Sequence, residues 1–232
     1  MRFKLQHSGY TMSQKTDEIA IKQKLVTAAI TIYIEDKTNL SVTAVAKKTR
    51  IKKADIFKLF PSTRAILNYF YSLCILRYRE MIKDLDDFDG WEPEERLANF
   101  AYAMFDLLGE EREFIDLHFR SDVFPYSDTR FHRDSQKLFE DLIGNVCCKE
   151  WVGTFLAKEY MHVVYFWLND DSDDSERSIA LVDKTTAFIG EGLRSEKLVL
   201  KGADLVKYLV TNNVIKVPFP NNVLTKFLNW IP

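Results

Sequence analysis

The sequence predicts an all-α protein, and three observations carry that prediction. Apolar residues recur at intervals of three and four through most of the chain, which is the spacing of a helix face and not of a strand. Eight glycines and six prolines in 232 residues leave long stretches without a breaker. Hydrophobic residues make up 47% of the composition, enough to build a core at this length.

Residues 1–13 show no strong pattern and are assigned no element. A first helix is expected from about Thr16, with Ile21, Leu25, Ala28, Ala29 and Ile32 as its apolar stripe, fading at Glu35-Asp36-Lys37. Ser41 is placed to cap a short second helix, Val42 to about Lys48, whose Val45 and Ala46 face inward while Lys47 and Lys48 complement its negative end. A turn at Thr49-Arg50-Ile51 leads to a third helix, about Lys52 to Phe60, in which Ile56, Phe57 and Phe60 share a face and which Pro61 stops. Ser62 caps a long helix reaching about Leu85, followed by a loop over Asp86–Gly90. Further helices are expected at about Pro93–Leu108, Glu111–Arg120, Arg130–Val146, Lys149–Leu168 and Asp174–Arg194. The acidic linker Asn169–Asp173 favours the positive start of the last of these. Beyond them, Lys201–Val210 reads as helix, Val214–Pro220 as extended chain, and Asn222 as the cap of a short terminal helix.

Charge is unevenly distributed. From Lys22 to Arg64 ten Lys/Arg stand against three Asp/Glu, a balance of +7, whereas residues 65–232 hold nineteen against twenty-nine, a balance of −10. A basic segment beside an acidic one points to a polyanionic partner for the first. The cysteines, Cys74, Cys147 and Cys148, are odd in number and two are adjacent, so a disulfide framework is not expected and a reducing compartment is. The longest apolar run, Met161–Leu168, is far short of the roughly 20 residues that span a bilayer. A cytoplasmic protein without a membrane span is the expectation. No phosphate-binding glycine loop, nucleophile elbow or paired-histidine metal motif is present, and the four histidines are scattered singly. Neither an enzyme nor a cofactor or metal is expected.

The most informative segment runs from Leu25 to Leu67. Ala28-Ala29 is a small-residue pair that allows close helix approach, Ser41-Val42-Thr43-Ala44-Val45-Ala46 opens the second helix, and Arg50-Ile51 closes the turn. Ile56-Phe57-Lys58-Leu59-Phe60 and Ser62-Thr63-Arg64-Ala65-Ile66-Leu67 follow without a gap. This ordered set resembles the DNA-binding domain of tetracycline-repressor (TetR) family regulators. The resemblance implies a helix-turn-helix over residues 15–62, with Lys53, Ala54 and Asp55 offered to the major groove and Thr43 reaching a base edge or phosphate. For Asp55 two roles stay open, acceptance from a cytosine or stabilisation of its own helix start. Three positions depart from the family pattern: Arg50 replaces the turn glycine, Phe57 a phosphate-contacting tyrosine, and Thr63 a phosphate-contacting lysine. Lys47, Lys48, Arg50, Lys52, Lys53, Lys58 and Arg64 more than restore the lost charge, because cations near phosphates supply most sequence-independent affinity.

For residues 63–232 the resemblance implies a helical bundle that binds an effector and dimerises through its last two long helices, here Lys149–Leu168 and Asp174–Arg194. Aromatic residues are dense in this region. Tyr102, Phe105, His118, Phe119, Phe124, Trp151, Phe155, His162, Tyr165 and Phe166 are the candidate lining of an effector pocket, with Tyr102, His118 and His162 as its polar groups. The function so implied is a homodimeric transcriptional regulator, a repressor, that binds a double-stranded DNA operator and is released by an apolar or aromatic small molecule. The alternative is a small-molecule or lipid carrier of the same fold that has given up DNA.

Overall fold

The computed structural model describes residues 12–146 and 149–195. Among them the chain is helical with no strand, and no helix is long and apolar enough to cross a membrane. Cys147-Cys148 and everything expected beyond residue 195 lie outside the described residues.

Helix α1 (Met12–Glu35) starts four residues earlier than expected. It buries Leu25, Val26, Ala28, Ala29, Ile30, Ile32 and Tyr33, more than half of its second half. A single stripe would bury fewer; α1 needs several apolar faces because it packs on α2 (Val42–Thr49), α4 (Thr63–Met81) and α6 (Arg112–His118) at once. Ile21, expected in the stripe, is instead 41% exposed. The caps form as expected: Ser41 Oγ accepts from the Ala44 amide and Ser62 Oγ from the Ala65 amide, each at 3.1 Å. Helix α3 (Lys53–Leu59) is a residue shorter at each end than expected.

Helix α4 is the centre of the molecule. It buries ten side chains, among them Ile66, Leu67, Tyr71, Cys74 and Tyr78, and packs on α1, α5 (Pro93–Gly109) and α7 (Arg130–Leu142). It ends at Met81 in a short 3-10 turn, Ile82–Asp84, so the expected continuation to Leu85 is not helical in the α sense. Likewise α6 stops at His118 and passes into a single wide turn, Phe119–Val123, closed by the Phe124 amide on the Phe119 carbonyl at 2.8 Å. Helix α7 ends at Leu142 and not at Val146, because Gly144 takes a φ of +70°, a left-handed angle that stops a helix.

Helix α8 (Lys149–Leu168) matches its expected bounds and packs most extensively on α7. Gly153 makes that approach possible, since a Cβ there would sit 2.6 Å from Glu140 Cγ and 3.3 Å from the Gln136 carbonyl. Helix α9 (Glu176–Arg194) begins two residues later than expected, after a turn in which Asp174 and Ser175 are both left-handed. Asp170 organises that turn. Its enclosed carboxylate accepts from the side chains and backbone amides of Ser172 and Ser178 at 2.6–3.0 Å, and these bonds hold it well below the usual carboxylate range.

Between the first three helices and the rest sits an aromatic joint. Tyr71 of α4 stacks on Phe131 at 4.8 Å, and its hydroxyl lies 3.1 Å from His118 Nδ1. Tyr33 of α1 meets Phe114 and His118 edge-on at 5.7 and 5.8 Å. Burial pushes the His118 imidazole down to about 4, and burial likewise pushes His132 down to about 4. The ordinary value is 6.5, so the folded protein holds fewer protons than the unfolded chain between those limits. Stability is therefore complete above pH 6.5 and falls as the pH drops towards 4. Chemical denaturation across that range should show His118→Phe reducing the pH slope by up to about 1.4 kcal/mol per unit relative to the parent.

Candidate nucleic-acid interface

The candidate interface is assembled by α2, the turn after it, and α3. Val45 and Thr49 point inward from α2, and Thr49 Oγ1 donates to the Val45 carbonyl at 2.8 Å while accepting from the Ile51 amide at 3.4 Å. These bonds fix the turn on both sides of Arg50. Arg50 itself takes φ 59° and ψ 27°, the left-handed geometry that a glycine would adopt without strain. Below the turn, Ile56 and Phe60 are buried, and Phe60 meets Tyr69 of α4 edge-on at 5.3 Å. Phe57, expected on the same face, is 54% exposed. With one helical turn between them, Ile56 and Phe60 already fill the inward side, and the next residue is turned away by 100°.

That inward anchoring leaves the outer side to cations. Lys47, Lys48, Arg50, Lys52, Lys53 and Lys58 are all exposed, as are Thr43 and Ala54. Two of the lysines have acidic neighbours: Lys58 Nζ lies 2.7 Å from Asp55, and Lys48 Nζ lies 3.7 Å from Glu35. The Lys58 hydrogen bond holds the Asp55 carboxyl below its usual range, and Asp55 in turn raises Lys58. Lys53 makes no ion pair with any described residue. Thr63 is half-buried at the start of α4, and Arg64 is exposed but points sideways, over the Tyr126 ring at 5.0 Å.

The expected effector residues fall into separate groups. Phe105 is buried against Trp167, ring centroids 5.2 Å apart, and His118 and Phe119 belong to the aromatic joint. Phe124 stacks on Tyr165 at 4.4 Å with His162 edge-on at 5.2 Å, at the surface. Trp151 stacks on Phe155 at 6.0 Å, and Phe155 and Phe166 are exposed. The Tyr102 hydroxyl donates to Asp183. What the sequence did not single out is a small apolar cavity of about 60 Å³ between α5, α7, α8 and α9, lined by Leu97, Phe100, Leu156, Val182 and Thr186. Tyr160 also lines it, and the Tyr160 hydroxyl is buried with no hydrogen-bond partner among the described residues. Tyr160 was legible only as one more aromatic on α8. Among the described residues no group of three or more His, Cys, Asp or Glu is placed to hold a metal ion.

No protein-family model matches the chain, and no curated protein matches it.

The turn supplies a direct test of its geometry. Because a left-handed L-residue costs about 1–2 kcal/mol, Arg50→Gly should raise the unfolding free energy by about 1 kcal/mol in urea titrations. Arg50→Val, β-branched and worse suited to that angle, should lower it.

Proposed function

We propose that the chain is a homodimeric DNA-binding regulator of the TetR family, reading its operator with α3. One observation carries the reading. Six Lys/Arg between residues 47 and 58 are all exposed, while the opposite side of the same short helices is anchored by Val45, Ile56 and Phe60. Such a face loses little stability by meeting a polyanion and gains affinity by releasing counterions. In this proposal residues 15–62 form the DNA-binding domain and residues 63–232 the effector and dimer domain. Lys53 and Ala54, at the start of α3, meet base edges; Lys48, Arg50, Lys52, Lys58 and Arg64 meet phosphates, with Thr43 and Thr63 at the margin. The Asp55–Lys58 pair supports a structural role for Asp55, since one of its two carboxylate oxygens is already engaged.

Dimerisation follows from the need to place two recognition helices on one face of the duplex. An aromatic stripe on α8 supports it: Phe155, His162 and Phe166 are exposed and fall at heptad-like spacing, and Phe188 of α9 is 76% exposed. An apolar effector that widens the gap beside Tyr160 would act by binding better to one spacing of the recognition helices than to the other.

Mobility shifts of genomic fragments at low salt test the reading. Affinity should fall steeply with salt, and Lys53→Ala and Lys58→Ala should each weaken binding and reduce the salt slope by about one ion. Absent or salt-insensitive binding would sink the proposal and favour a carrier without DNA. In sedimentation experiments, Phe188→Glu should shift the protein from dimer to monomer.

A further inference from the structure

A second concavity lies at the seam between α3–α4 and the start of α7. It has a volume of about 450 Å³. Leu59, Phe60, Pro61 and Ala65 form one apolar wall, and Tyr126 with three arginines, Arg64, Arg130 and Arg133, completes the lining. The one carboxylate that lines it is Asp128.

The arginines are held in an unusual way. Arg64 lies over the Tyr126 ring at 5.0 Å and Arg130 over the Tyr69 ring at 4.8 Å, so aromatic faces orient two guanidinium planes. Each makes a long ion pair through Nε alone: Arg64 Nε stands 3.7 Å from Asp122, and Arg130 Nε stands 3.4 Å from Asp134 while donating to Ser72 Oγ at 2.8 Å. Only Arg133 is closely paired, at 2.7 Å from Asp128, whose side chain is 78% exposed. The terminal nitrogens of Arg64 and Arg130 make no hydrogen bond to a described residue. Asn68 and Thr129 also line the cleft.

We propose that this cleft binds an amphipathic organic anion: an aromatic or alkyl body bearing a carboxylate, sulfonate or phosphate. The apolar wall takes the body, and the guanidiniums of Arg64, Arg130 and Arg133 take the anionic group in the forked geometry that suits it. The ligand would touch the α3–α4 junction and the α7 start together, so its occupancy fixes their relative position. Binding at the cleft does not depend on the chain's recognising DNA.

The probe is 8-anilinonaphthalene-1-sulfonate, which carries an aromatic body and a sulfonate. Fluorescence titration of the full chain should show saturable binding. Arg133→Gln should weaken it about tenfold, the loss expected for one charge-assisted hydrogen bond. Asp128→Asn, which removes the competing carboxylate, should tighten it roughly threefold. Both side chains are more than half exposed, so both variants should keep the parent's circular dichroism and melting temperature. Phe166→Glu, on the α8 stripe, should leave both shifts unchanged. Binding indifferent to Arg133→Gln would overturn the proposal.

Discussion

The structure depends on the burial of α4 along most of its length. Over Tyr69–Ile75 every side chain is buried, so this stretch has no solvent face to fall back on and its neighbours must enclose it. Here α1 closes one side, α5 and α7 close the others, and the Tyr71–His118–Phe114 cluster fills the corner where α1, α4 and α6 meet. His118 is 1% exposed at that corner, and this burial is what lowers its imidazole. Because α4 starts directly beneath α3, the same enclosure that secures the interior also fixes the orientation of the cationic face.

Two sets of cations result, and they differ in physical character. Those on α2, the turn and α3 stand on short helices, exposed, with flexible side chains and at most a single acidic neighbour each. They suit a partner that offers charge along a line, where strict geometry matters less than number. Those at the seam are guanidiniums laid on rings beside an apolar wall, which suits a compact partner with one charged end. Net charge alone, at −2, conceals both.

Much of this was legible in the sequence because it depends on local chemistry. Ser41 and Ser62 cap where hydroxyls precede apolar runs, and Arg50 stands where the chain must turn left-handed. Less visible was anything that depends on how many neighbours a helix acquires. Periodicity assigned α1 one stripe, yet three partners draw in Val26, Ile30 and Tyr33 and leave Ile21 outside. Aromatic density proved ambiguous for the same reason. Phe119 is wholly buried and Phe155 is 43% exposed, although nothing in their immediate sequence separates them. The seam cleft lay beyond sequence reasoning altogether, since Arg64 and Arg130 are far apart in the chain and meet only through the packing of α4 on α7.

The buried side chains form one continuous cluster from Leu25 to Val182, without a break where α3 gives way to α4. Val45, Ile56 and Phe60 are too few to sustain three helices unaided, and Tyr33 and Leu25 rest on side chains that the later helices supply. Severed after Pro61, the amino-terminal piece would carry a greasy scar along α1 and lack a floor under Phe60. The cationic end is thus no portable cassette to be grafted elsewhere; it inherits its shape from the whole chain.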